Sequence, residues 1–138
     1  MIEKIVVGAI LHNAQGDVLL QLRDDKPGLP YANHWTLFGG SAEAGETPDE
    51  AIRRELLEEL ELALPLTFWK FYRCPIRSID GVITTNNHIF IGQMTRELSE
   101  LTLHEGQAMR YFSRHEVADM RLAFDQHLIL NEWINTHD

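Results

Sequence analysis

Apolar and polar positions change period several times along the chain. Ile5 to Leu11 ("IVVGAIL") and Val18 to Arg23 ("VLLQLR") are short runs of β character, separated by "HNAQGD". The Asn, Gly and Asp of that spacer supply turn chemistry and predict an opening hairpin. "KPGLPYAN" is a Pro- and Gly-rich loop, and "HWTLF" is a short strand running straight into Gly39 and Gly40. At Thr47 the pattern becomes helical. Thr47 as N-cap, Pro48 at the first helical position, Asp49 in the first turn and Glu50 completing a capping box predict a helix to about Leu60.

Two long β-type runs follow, "LTFWKFYRCPIRS" and "VITTNNHIFIGQM", joined across "IDGV", where Asp80 and Gly81 suit a tight hairpin turn. Pro75 cannot donate to a ladder, so its strand is expected at an edge or bulged. "GQAMRYF" reads as another strand, and Ser113 with Glu116 offers a second capping box. From Ala123 to Ile134, Phe124, His127, Leu128, Trp133 and Ile134 are spaced for an amphipathic closing helix. This order predicts an α+β domain, a mixed β-sheet between helices in an α/β/α sandwich. With 138 residues and no internal repeat or low-complexity segment, residues 1–138 read as one domain. Folding at that length buries roughly 68% of the chain's surface, enough for one sizeable core.

Composition narrows the function classes. A formal net charge of -9 argues against binding a nucleic-acid polymer, which takes a basic footprint. An anionic small substrate would need local arginines or cations. Cys74 is the only cysteine and, lying in an apolar segment, is expected to be a buried thiol. Lys4 before "IVVGAIL" only faintly resembles a signal peptide, and no apolar run approaches the roughly 20 residues of a membrane span. A cytoplasmic protein without membrane contact is the expectation. The seven histidines lack zinc-ligand spacing and read as structural or exposed.

The segment Gly39 to Leu62 holds eight carboxylates. On a helix at about 100° per residue with Glu55 at zero, Glu58 falls at roughly -60°, Glu59 at +40° and Ala51 at -40°, while Leu56, Leu57 and Leu60 fall at roughly 100°, 200° and 140°. One face is then expected to be carboxylate and the opposite face apolar. A solvated surface helix accounts for that pattern. A divalent cation site accounts for it as well, because Glu55, Glu58 and Glu59 repel one another with no interspersed cation on that face, and Mg²⁺ is held by a few carboxylates, waters and phosphate oxygens.

The same segment resembles the signature of the Nudix hydrolases, GX5EX7REUXEEXGU with U apolar. Gly40, Glu46, Arg54, Glu55, Leu56, Glu58, Glu59 and Leu62 match eight of its nine specified positions. Glu61 stands where the family has glycine, at a helix exit where a left-handed backbone is often needed and a non-glycine residue costs about 1 kcal/mol. Phe38 stands where many relatives have proline. The resemblance implies a Nudix-like α/β/α sandwich and hydrolysis of a nucleoside diphosphate linked to another moiety, with Mg²⁺ or Mn²⁺ as cofactor. It also implies a small-molecule nucleotide as partner, and a homodimer as a common form among relatives. A Nudix-fold nucleotide-binding or regulatory domain without turnover is the alternative.

By the resemblance, Glu55, Glu58 and Glu59 are metal ligands, joined by the Gly39 carbonyl, with Glu58 as ligand or base. Arg54 and Glu46 pair with each other or with the catalytic glutamates, and Glu105 contributes a further carboxylate as base or ligand. Arg23 and Arg77 are candidates for substrate phosphate. Trp35, Phe68, Trp69, Phe71 and Tyr72 are either stacking partners for a base or ordinary core aromatics.

Overall fold

A computed structural model describes residues 2–78 and 81–136, with only the backbone described for Ile2 and for residues 76–78. Its strands are β1 (Ile2–His12), β2 (Val18–Leu22), β3 (Trp35–Thr36), β4 (Phe38–Ser41), β5 (Thr67–Ser78), β6 (Gly81–Gln93) and β7 (Ala108–Phe112). Among the described residues, three α-helices, α1 (Pro48–Leu60), α2 (Arg114–Ala118) and α3 (Gln126–Thr136), complete the regular structure together with two short 3₁₀ turns. The strands form one sheet with the path β3-β2-β1-β6-β5, to which β4 adds against β1 and β7 against β2. Among the described residues only the β1–β6 pairing is parallel, in register from Ile2↔Ile83 to His12↔Gln93. The expected mixed sheet is therefore present.

Alternation along the central strands divides the interior into two layers. Val7, Ala9, Leu11 and Leu19 pack with Ala51, Ile52, Leu56 and Leu60 of α1. Ile10, Val18 and Leu20 project to the other face and pack with Val117, Ile129, Leu130 and Trp133. Helices on both faces make the α/β/α sandwich.

The opening hairpin turns through Asn13, whose side-chain oxygen accepts from the N–H groups of Gln15 and Asp17. "HWTLF" proves to be two strands. Trp35–Thr36 pairs with β2, whereas Phe38–Ser41 pairs with β1. Leu37 lies at the change of partner, and its N–H donates to Gln126 Oε1 at 2.8 Å instead of to a strand.

Helix α1 begins as the sequence predicts. Thr47 accepts from the Glu50 N–H at 3.2 Å, and the Glu50 carboxylate accepts from the Thr47 N–H at 2.9 Å. Ser113 and Glu116 repeat the same box on α2. Pro75 lies on β5, an edge strand with a register shift between Phe68 and Lys70. Asp80, expected in the following turn, lies outside the described residues.

Two further expectations need correction. The closing helix starts at Gln126, because Phe124 and Asp125 both have φ of 56°, a left-handed backbone no helix accommodates. Its buried face is Ile129, Leu130 and Trp133, and Leu128 is 64% exposed. Cys74 is a free, half-buried thiol, since an edge strand leaves one side uncovered. Of the β5 aromatics, Phe68 and Phe71 are about half exposed, while Trp69 and Tyr72 pack against the α3 layer.

Thr47→Ala removes the acceptor for the Glu50 N–H. It is expected to lower stability by about 1 kcal/mol, read as a lower urea midpoint with an unchanged slope.

Candidate functional site

The site forms where the Gly39–Gly40 end of β4 meets α1. Gly39 has φ of 149°, and a Cβ there would lie 2.0 Å from the Val7 carbonyl oxygen, so only glycine allows β1 and β4 to approach this closely. A Cβ on Gly40 would lie 2.7 Å from Glu55 Oε1. Gly40 of the signature and Gly39 just before it thus bring backbone against the glutamates.

Glu59 departs from the expected division of faces. Its side chain is 2% exposed and lies within the apolar stripe of Ala51, Ile52, Leu56 and Leu60, whereas Leu57 is 53% exposed. The helix has therefore rotated its acidic face partly inward. Gln21 Nε2 donates to Glu59 Oε2 at 2.8 Å, and the Gly39 N–H donates to Glu59 Oε1 at 3.1 Å. Burial pushes this carboxyl up to about 8, the two donors oppose that shift, and the negative charges of Glu105 and Glu55 reinforce it. Glu55 is raised for the same leading reason, burial, with Arg54 opposing and Glu58 and Glu105 adding to the rise.

Arg54 is the counter-charge of the exposed side. Its Nε and Nη2 donate to the two oxygens of Glu46 at 2.6 and 2.9 Å, a bidentate pair. Nη1 reaches Glu55 at 3.1 Å and Glu58 at 3.2 Å, and Nη2 also donates to the Ser41 carbonyl at 3.1 Å. Glu43 adds a contact to Nε at 3.2 Å. The hydrogen bond from Arg54 holds the Glu46 carboxyl below its usual range, and Glu46 in turn strengthens the hold of the guanidinium on its proton. Arg54 thus fastens the loop before α1 to the helix, consistent with a role in support.

The remaining expected residues divide. Glu105 lies on the loop before β7, close enough for its charge to act on both Glu55 and Glu59. Arg23 is engaged by its own loop, donating from Nε to the Pro30 carbonyl at 3.0 Å and lying 5.1 Å over the Phe124 ring. The side chain of Arg77 lies outside the described residues. Gln21 was not among the sequence candidates. Its signal was a polar residue inside "VLLQL", on a strand whose other side chains are apolar. Glu43 and Glu61, without a role in the sequence reading, contact Arg54 and His104 respectively.

Among the described residues no three acidic or imidazole groups converge into a ready-made cation cage. Glu59 is turned to Gln21 and Gly39, and Glu55 and Glu58 to Arg54. The donors are nonetheless all hard oxygens, and no arginine or lysine bonds Glu59 among the described residues. A divalent ion fits that chemistry.

A family model described as a NUDIX domain matches residues 3–133. The nucleoside triphosphatase NudI of Enterobacter sp. (strain 638) is 37% identical over 67 residues, which are 49% of this chain and 46% of that protein. NudI of Escherichia coli O139:H28 matches equally. The match spans about half the length of these relatives. Among solved structures, the MutT protein from Methanosarcina mazei Go1 superposes with a TM-score of 0.74 at 19% identity, covering 97% of this chain and 96% of that one. The NUDIX domain of NrtR from Shewanella oneidensis, complexed with ADP ribose, gives 0.75 at 22% identity, covering 99% and 88%. At these identities the structural likenesses establish the fold.

The raised carboxyl of Glu59 sets a pH dependence for the metal-free protein. Folded Glu59 holds its proton up to about 8, while the unfolded chain releases it near 4.5, so the folded state binds more protons between these values. Stability from this group is complete below pH 4.5, falls as pH rises and is lost above about 8. Chemical denaturation across that window should show a downward slope that flattens in Glu59→Gln.

Proposed function

The chain belongs to the NUDIX domain family, and from that premise we propose that it is a divalent-metal-dependent pyrophosphohydrolase. Its substrate is a nucleoside diphosphate linked to another moiety, with a nucleoside triphosphate favoured by the 37% likeness to NudI over half of the chain. The observation that carries the reading is the buried, cation-free Glu59 beside Glu55, with the charge of Glu105 acting on both. A fold seeking stability alone gains nothing from such a cluster.

Glu55, Glu58, Glu59 and the Gly39 carbonyl would hold Mg²⁺ or Mn²⁺, which when bound neutralises charge on phosphoryl oxygens and acidifies water. The chain's own groups supply the rest. Gln21 and the Gly39 N–H fix the Glu59 carboxylate. Arg54 balances Glu55 and Glu58 while anchoring the loop through Glu46. Water attacks one phosphorus of the anhydride, the bond to the departing phosphate oxygen breaks, and a carboxylate, Glu105 or Glu58, accepts the water's proton. No helix among the described residues is long and apolar enough to cross a membrane. A cytoplasmic location and a homodimer complete the proposal.

A panel of nucleoside triphosphates, nucleotide sugars and dinucleoside compounds, assayed with Mg²⁺ and with Mn²⁺, tests this reading. Turnover is expected to vanish with a chelator and to fall by about 10³-fold or more in Glu59→Gln. Full activity in that variant would remove the assignment. Nucleotide bound without turnover by the unmodified protein would make it a binding domain instead.

A further inference from the structure

Glu61, the residue that closes α1, combines three features. It follows the last helical residue with φ of 52° and ψ of 38°, a left-handed backbone. Its N–H and that of Leu62 cap the Leu57 and Leu56 carbonyls at 3.0 and 3.3 Å. Glycine would adopt that conformation without strain. The carboxylate instead reaches across 43 positions of sequence to His104 Nε2 at 2.5 Å.

His104 belongs to the loop that carries Glu105. The His104 N–H donates to the Glu59 carbonyl at 2.9 Å, so this loop is tied to the end of α1 by a backbone bond and a side-chain pair. On the far side of Glu105, Gly106 passes over Gln21, where a Cβ would lie 2.8 Å from Gln21 Oε1. The Gln107 N–H then donates to the Leu22 carbonyl at 2.8 Å, and its Nε2 donates to the Arg23 carbonyl at 2.8 Å and to Asn33 Oδ1 at 2.7 Å. Glu105 is thereby suspended between two anchors, one at the helix exit and one at the end of β2.

We propose that Glu61 and His104 form a positioning pair that holds the loop of residues 102–107, and with it Glu105, against the carboxylates of α1. An exposed pair of this kind adds little to global stability. Its effect falls on the loop, whose β2-side anchor remains intact without it. Strain held at Glu61, where glycine would relieve it, then has a local return in the placement of Glu105. The catalytic side of this inference rests on the hydrolase reading above, and the pair itself does not.

The test compares full-length wild type, Glu61→Gly, His104→Ala, the double variant and the conservative Glu61→Gln. Each is read by amide hydrogen exchange over residues 102–107, by melting temperature and by kcat and KM. Glu61→Gly is expected to melt roughly 2–5 °C higher because the left-handed position is relieved. Its loop should nevertheless exchange about tenfold faster, and kcat should fall about tenfold with KM unchanged. His104→Ala should reproduce the exchange and kcat effects without the rise in melting temperature. The double variant should lose no more kcat than either single variant, and Glu61→Gln should restore wild-type exchange and kcat. Unchanged loop exchange in Glu61→Gly overturns the pair, whatever the activity. Faster exchange with unchanged kcat overturns its positioning role. Wild type that turns over no substrate defeats the hydrolase reading, while exchange still decides the pair.

Discussion

Glu59 lies at the centre of the buried stripe of α1, and its neighbourhood is arranged to receive it. A carboxyl buried on the same side of α1 as Ile52, Leu56 and Leu60 loses its hydration and has to be held by donors or kept protonated. Both solutions are present. Gln21 and the Gly39 N–H each occupy one oxygen, and the proton is retained to about pH 8. Gln21 can serve only because β2 turns it to the same face as Leu19, and Gly39 only because the missing side chain lets β4 close on β1.

Around this acid the chain separates charge by depth. On the exposed side one guanidinium is shared among Glu43, Glu46, Glu55 and Glu58, so the acidic density of the signature is balanced locally. On the buried side no comparable cation reaches Glu59 among the described residues. Glu55 stands between the two regimes, half-buried, in contact with Arg54 and with its own proton affinity raised by burial. The arrangement balances the acids of the helix surface and leaves one interior carboxyl that becomes negative only by giving up its proton.

Local rules were readable wherever one residue acts on its near neighbours. The Thr47 and Ser113 boxes, the Asn13 turn and the edge placement of Pro75 all follow from chemistry within a few positions. The signature spacing likewise brought Arg54 to Glu46. Long-range geometry was not readable. A helical projection placed Glu59 only about 80° away from its opposite neighbour Ala51 on the wheel and could not say that the sheet would cover the arc between them. Nor could it say that Leu57, at the far side of the leucine row, would face solvent. The left-handed pair Phe124 and Asp125 carries no sequence signal, so the start of α3 was misplaced.

The bond from the Gly39 N–H to Glu59 bears on how the site's history is to be interpreted. That donor is turned from the sheet toward a side chain, and leaving it without an acceptor carries the penalty of an unmet backbone group. Position 59 is therefore constrained by folding as well as by chemistry. A descendant of this chain that had lost all turnover would still be pressed to keep Glu or Gln there. The acid at 59 is therefore informative through its company, because Glu55 beside it and the charge of Glu105 acting on both are what a purely structural acid would not need.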